Sequence, residues 1–320
     1  MGNFFTSLFS SSKAETSEEE KEKNDRKNFD LFKYDGIRAQ KIGQLNYAIK
    51  CFTEALHIRE DFETMSYLVT AYTAAGAPEK SLEVLDRMAA LEPEHVPTLL
   101  TRVNLLFILD REPEAVSACE RILELDPANC QAFYLLAKAR RTTGDPLGAI
   151  AALTRALALK DDFAEGWLLR AEILLDMRQA AEALPDVEKA VALLPEEENA
   201  YLLKGRIHEA LGEADRAAAD YRQALDLNPF HEEAILLAGG LLISGGKTDE
   251  AVAFFDEAIE TLPGSGKIYA ERGRARNLRG DKEGAFEDLK KALELNPDGE
   301  EARRLEGEHN FDNLYKGGIF

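Results

Sequence analysis

The segment YLLKGRIHEALGEADRAAADYRQALDLNP, residues 201–229, decides the fold. It holds a bulky Tyr201, a small Gly205, a small Ala217, a bulky Tyr221 and a closing Pro229, and this series returns every 34 residues, eight times between Phe29 and Gly299. A fixed period of this length marks stacked helical hairpins, each burying its apolar face against its neighbours. The register is set by a small residue, Ala48, Ser81, Ala115, Ala149, Ala183, Ala217, Ala251 and Ala285, which defines column twenty. Column four is always bulky and apolar (Phe32, Met65, Leu99, Phe133, Trp167, Tyr201, Ile235, Tyr269), and so is column twenty-four (Phe52, Leu85, Cys119, Leu153, Val187, Tyr221, Phe255, Leu289). Column eight is mostly small (Gly36, Val69, Val103, Ala137, Ala171, Gly205, Gly239, Gly273), which lets two helices approach closely. Column thirty-two is proline except at Glu60 and Asp161, and proline there ends the second helix of each hairpin.

This pattern, repeated in WLLRAEILLDMRQAAEALPDVEKAVALLP from Trp167, closely resembles the tetratricopeptide repeat family over residues 29–299. The repeats are expected at 29–61, 62–95, 96–129, 130–163, 164–197, 198–231, 232–265 and 266–299. The resemblance implies an all-α solenoid of antiparallel helix pairs, wound into a right-handed superhelix with the first helix of each pair lining a concave groove. Pro185, early in the second helix of the fifth repeat, is expected to shorten or bend that helix. Residues 1–28 read as a disordered polar tail. Residues 300–320 read as a cap helix, EEARRLEGEH, followed by an aromatic tail, NFDNLYKGGIF, packed on the last repeat.

The net charge of -20 argues against nucleic acid or an anionic lipid surface as the main partner. Residues 1–28 hold five Lys and Arg against six Asp and Glu, so the acidity belongs to the repeats and the cap. In the family, columns two, five, nine, twelve and thirteen usually face the groove. Here they supply seven cations (Lys33, Lys41, Lys138, Arg141, Arg206, Lys267, Arg274) and seven anions (Asp30, Glu63, Glu165, Glu172, Asp176, Glu209, Glu233). Column five reads Leu100, Tyr134, Leu168, Leu202 and Leu236, and column twelve adds Phe107, Leu175 and Ile243. Together with Lys138, Arg141, Arg206 and Arg274 they form the expected partner-binding strip, since an exposed apolar strip of this kind is usually a binding surface. The competing reading is that these leucines pack between neighbouring first helices. On this reading Phe133, Trp167 and Tyr201 belong to the core rather than the strip.

Family members that grip carboxylate tails of chaperones carry lysine at column five with asparagine at nine; here only Lys33 fits, and Ile37 stands where asparagine is needed. The asparagine ladder of the sugar-transferring members is reduced to Asn104. Catalytic chemistry is equally thin. GLLISGGKT from Gly240 resembles a phosphate-binding loop, but five residues rather than four separate Gly240 from Gly246, and no strand precedes it. His57, His95, His208, His231 and His309 show no metal-ligand spacing, and Cys51, Cys119 and Cys130 form no CxxC pair. No cofactor or metal is expected. Three thiols without a framework suit a reducing compartment.

No apolar run approaches the roughly 20 residues that span a bilayer. MGNFFTSLF meets the N-myristoylation pattern at Gly2, with Phe4, Phe5, Leu8 and Phe9 on one helix face. One acyl chain holds a membrane only marginally, and the acidic stretch that follows does not help on an anionic leaflet, so a soluble cytoplasmic protein is expected. The reading is therefore a non-enzymatic scaffold, monomeric, that holds an apolar protein or peptide segment in its groove. Its rival is a structural subunit that self-associates through its terminal repeats or C-terminal tail.

Overall fold

The computed structural model describes residues 4–297, with side chains from residue 18 onward. It holds sixteen helices and, among the described residues, no strand. Two compact units divide the chain between Lys160 and Asp161. The first contains α1 (Phe4–Lys41), α2 (Leu45–Ile58), α3 (Phe62–Ala74), α4 (Pro78–Leu91), α5 (Val96–Ile108), α6 (Glu112–Leu125), α7 (Cys130–Thr142) and α8 (Pro146–Leu159). The second contains α9 (Ala164–Asp176), α10 (Ala180–Leu193), α11 (Glu198–Ala210), α12 (Ala214–Leu227), α13 (Glu232–Ser244), α14 (Thr248–Thr261), α15 (Gly266–Arg279) and α16 (Lys282–Leu295). Within each unit the helices pair as antiparallel hairpins, and each hairpin packs on the next.

Column twenty is the closest point of each hairpin, and all eight of its residues are fully buried. Ser81 replaces alanine there without leaving a polar group unpaired, because its hydroxyl donates to the Val69 carbonyl at 3.0 Å. Columns eight and twenty-four are matched in size. Where column twenty-four is aromatic (Phe52, Tyr221, Phe255), column eight is glycine (Gly36, Gly205, Gly239), and the ring lies flat over the missing side chain. A Cβ on Gly36 would stand 2.6 Å from the Phe52 ring. Where column twenty-four is Leu85, Cys119, Leu153 or Val187, column eight is valine or alanine. Seven hairpins thus divide the same space differently between a large and a small residue. The eighth departs, with Gly273 opposite Leu289 and the Ala285 carbonyl and Asp288 Cβ close to where its own Cβ would stand.

Every turn inside a hairpin places one residue at positive φ: Gly43, Gly76, Asp110, Gly144, Arg178, Gly212, Gly246 and Gly280. Glycine enters that region without penalty; Asp110 and Arg178 do so at a cost. Gly246 is therefore the ordinary turn of its repeat, with its N–H donating to the Ile243 carbonyl and that of Lys247 to Leu242, and GLLISGGKT is helix end and turn rather than a phosphate cradle. Proline follows the ends of α4, α6, α10, α12, α14 and α16 by two residues.

Two expectations are corrected. Pro185 does not shorten α10, which runs 14 residues, as α12 does. The Ala181 carbonyl left without its helical donor lies on the exposed face of the first turn, where water can satisfy it. Residues 4–28 are helical, as the first part of α1, rather than a disordered tail. Residues 18–27 are exposed on every side, so this stretch draws on the high helix propensity of Glu, Lys and Arg and on pairs spaced three and four apart, not on packing. Gly2 and the cap helix and aromatic tail expected over 300–320 lie outside the described residues. No helix among those described is long and apolar enough to cross a membrane.

Candidate functional site

The expected strip divides into two parts with different fates. In the first unit it forms a surface on α5 and α7. Leu100, Phe107, Tyr134 and Arg141 are half-buried, and Lys138 is exposed. The Lys138 ammonium lies 5.1 Å from the Phe107 ring centre and 6.0 Å from that of Tyr134, so side chains spaced far apart in sequence converge. Such contacts hold a cation in place without neutralising it. Ile108, the column-thirteen neighbour of Phe107, is 61% exposed and extends the apolar area. It stands in a groove column, and inspection of columns five and twelve alone overlooked it.

In the second unit two strip residues belong to the core. Leu202 is 5% exposed and packs in a cluster with Ala217, Tyr221, Ala224 and Ala234. Ile243 is 6% exposed, with Ile235, Val252 and Phe255 around it, and Leu236 packs against the same cluster. The small residues in these clusters bring successive helices close enough to enclose the larger ones, which is the packing alternative realised. Leu168 and Leu175 are half-buried. Arg206 is exposed and stands 4.0 Å from Glu233, and Arg274 pairs with Glu271 at 3.3 Å on its own helix.

The supposed core residues of column four also differ from expectation. Phe133, Trp167 and Tyr201 are half-buried. The Trp167 indole N–H donates to the Asp161 carbonyl at 2.8 Å, and the Tyr201 hydroxyl to the Pro195 carbonyl at 3.3 Å. These side chains tie a helix to the exit turn just before it, using the polar tip that a buried aromatic must satisfy.

Lys33, the one residue in place for a carboxylate clamp, is already engaged. Its ammonium donates to Asp61 at 2.9 Å and to Glu63 at 2.7 Å, while Asp61 also caps α3 through the Thr64 N–H. Burial pushes the Asp61 carboxyl up, but hydrogen bonds from Thr64 and Lys33 more than offset it and hold it below the usual range. The hydrogen bond from Lys33 likewise lowers Glu63. The histidines have local duties: His95 and His231 cap α5 and α13, and His208 is buried with Nδ1 2.5 Å from Asp220. Burial pushes the Cys119 thiol up to about 12, so it is an inert core group. Among the described residues no three His, Cys, Asp or Glu side chains gather as metal ligands.

The sequence matches the tetratricopeptide repeat family over residues 134–198, 168–232, 202–266 and 241–300. No curated protein matches it significantly. Among solved structures, the fold is similar to a tetratricopeptide repeat protein from Parabacteroides merdae ATCC 43184, with TM-score 0.57, 16% identity, and 80% of this chain and 96% of that one covered. It is also similar to the APC/C hetero-tetramer Cut9-Hcn1 (TM-score 0.54, 15% identity, 82% and 52% covered) and to PilF of Pseudomonas aeruginosa (TM-score 0.54, 18% identity, 67% and 97% covered). With the period, the sixteen paired helices and the family match all in agreement, this chain belongs to the tetratricopeptide repeat family.

Proposed function

We propose that the protein is a non-enzymatic interaction scaffold, and that the α5–α7 surface is where it takes hold of a partner segment. The observation that carries this is the convergence of Phe107 and Tyr134 on exposed Lys138, with half-buried Leu100 and exposed Ile108 on α5. Leu202 and Ile243, by contrast, are enclosed, and Leu168, Leu175 and Leu236 are half-buried with no ring among them for a cation to lie over. Half-buried rings beside an exposed isoleucine and a cation combine apolar area with a polar rim, as interfaces do. A cytoplasmic location accords with three free cysteines and no membrane-spanning helix among the described residues.

Affinity capture from native lysate, identified by mass spectrometry, tests the proposal when paired with thermal unfolding. Phe107→Asp should keep the melting temperature within a few degrees of the parent and lose the captured partner. Leu202→Asp should unfold several degrees earlier, because it buries a carboxylate among apolar groups. Equal destabilisation by both variants, or capture unchanged by Phe107→Asp, contradicts the assignment.

One observation favours the rival reading of a self-associating subunit. Column three is buried in all seven later repeats, from Thr64 to Ile268, yet its first-repeat member Leu31 is exposed, as is Tyr34 one turn further along α1. These columns meet the preceding hairpin inside the stack, and the first repeat has none. Light scattering decides between the readings: a monomer favours the receptor surface, a concentration-dependent oligomer abolished by Leu31→Asp favours the subunit.

A further inference from the structure

Resting on that reading of the α5–α7 surface, we infer the chemistry of its ligand: a segment that sets an aspartate or glutamate side chain beside an apolar residue. Lys138 is the reason. Of the other six groove-column cations, Lys33 is held by Asp61 and Glu63, Lys267 by Glu232 and Arg274 by Glu271, while Arg206 stands 4.0 Å from Glu233. Arg141 is also engaged, and Lys41 is exposed at the end of α1, away from the strip. Lys138 forms no ion pair among the described residues and lies over the Phe107 and Tyr134 rings. The ten groove columns of the third and fourth repeats contain no Asp or Glu at all, in a chain that carries 59 of them against 39 Lys and Arg.

The two rings hold the ammonium at the apolar surface while it stays exposed, so an incoming carboxylate meets a charge that is already positioned. Leu100 and Ile108 supply the apolar area for the neighbouring residue of the ligand. The wider field agrees. Residues 1–160 hold 20 Lys and Arg against 24 Asp and Glu, a net of -4, whereas residues 161–320 hold 19 against 35, a net of -16. An acidic segment is repelled far less by the first unit than by the second.

The test is selection of random 12-residue peptides displayed on phage against the full chain, with recovered sequences remade as C-terminally amidated peptides so that only side-chain carboxylates are read. Binding is measured to the parent, Phe107→Ala, Lys138→Gln and Lys138→Glu. Peptides whose binding falls at Phe107→Ala should be enriched in Asp or Glu next to Phe, Leu, Ile or Met. Their affinity should fall about tenfold at Lys138→Gln and further at Lys138→Glu, and should weaken between about 50 and 500 mM salt for the parent but not for Lys138→Gln. Peptides that depend on Phe107 but carry no acidic excess, or that bind Lys138→Glu as well as the parent, overturn this inference and leave the binding surface standing. Recovery of no Phe107-dependent peptide overturns the surface itself, and the inference with it.

Discussion

Hairpins of the first unit and hairpins of the second can solve the same packing problem with opposite chemistry, the buried ionic pairs of columns seven and twenty-three falling in the second. In the second and fourth repeats, columns seven and twenty-three pair Leu68 with Val84 and Leu136 with Ala152, all buried, while the first and third repeats carry Asp35 with Cys51 and Arg102 with Ala118. In the fifth, sixth and eighth repeats the same columns pair Arg170 with Asp186, Lys204 with Asp220 and Arg272 with Asp288, while the seventh is apolar, with Ala238 and Phe254. Arg170 grips Asp186 through two bonds of 2.6 and 2.7 Å, and Lys204 reaches Asp220 at 3.2 Å beside His208. Arg272 holds Asp288 at 2.5 and 3.0 Å, with Arg276 as a second cation. The hairpin therefore tolerates an apolar or an ionic filling. Since a buried ion pair seldom outweighs the desolvation of its members, the ionic filling of these three hairpins is expected to add little stability over an apolar one.

The sharpest way to break this comparison is to give the fifth repeat the fourth repeat's filling. Asp186→Ala alone leaves Arg170 with its buried partner gone and should cost ~3 kcal/mol in denaturant unfolding. Adding Arg170→Leu reproduces the Leu136–Ala152 pair and should recover most of that loss. If the double variant is as unstable as the single one, the two fillings are not interchangeable.

A second test concerns the size match of columns eight and twenty-four. Gly205→Val places methyl groups where the Tyr221 ring lies and should cost ~2 kcal/mol by overpacking. Combined with Tyr221→Leu, it copies the Val69–Leu85 pair of the second repeat, and the double variant should be more stable than the sum of two independent losses predicts. Simple additivity contradicts the match.

Smaller effects follow from the turns. Arg178→Gly removes a side chain held at φ 62° and should raise stability by ~1 kcal/mol, with less gained at Asp110 (φ 52°), because aspartate enters this region more readily. Calorimetry showing a loss at both positions would mean that these side chains make contacts worth more than the strain.

The smallest effect is the pH dependence of the junction around Lys33. The Asp61 and Glu63 carboxyls are depressed, so their contribution is present above the ordinary carboxylate range, near pH ~4, and fades as pH falls through the depressed values. The Lys33 ammonium is raised despite its burial, by the bonds to these carboxylates, so its contribution fades only as pH climbs above ~10.5. Lys33→Met should flatten both limbs of the stability profile, and an unchanged acid limb would show that the pair contributes nothing to folding.

Most of the fold was legible because it rests on columns that any repeat of this length must keep. Column twenty is small in every copy because two helix backbones meet there, and all eight residues are buried. The candidate site was legible only in part. The column assignment put Phe107, Tyr134 and Lys138 on one strip, and their side chains do lie together, but it treated column five as one surface. Whether a leucine in that column is open or enclosed depends on the residues of adjacent helices: Leu202 is covered because Ala217, Ala224 and Ala234 gather around it. A single column carries no record of that neighbourhood. The ion pairs of columns seven and twenty-three were visible as Arg170, Lys204 and Arg272, each 16 residues before an aspartate. The N-terminal stretch misled because polar composition was read as disorder, although Glu, Lys and Arg are also good helix formers.

Hydrogen–deuterium exchange on the full chain, with and without a peptide recovered by selection, tests the central claim most directly. The account predicts slowed exchange in Leu100–Ile108 and Tyr134–Arg141, with little change in α11 and α13. Slowing confined to α11 and α13, or absent throughout at saturating peptide, would contradict it.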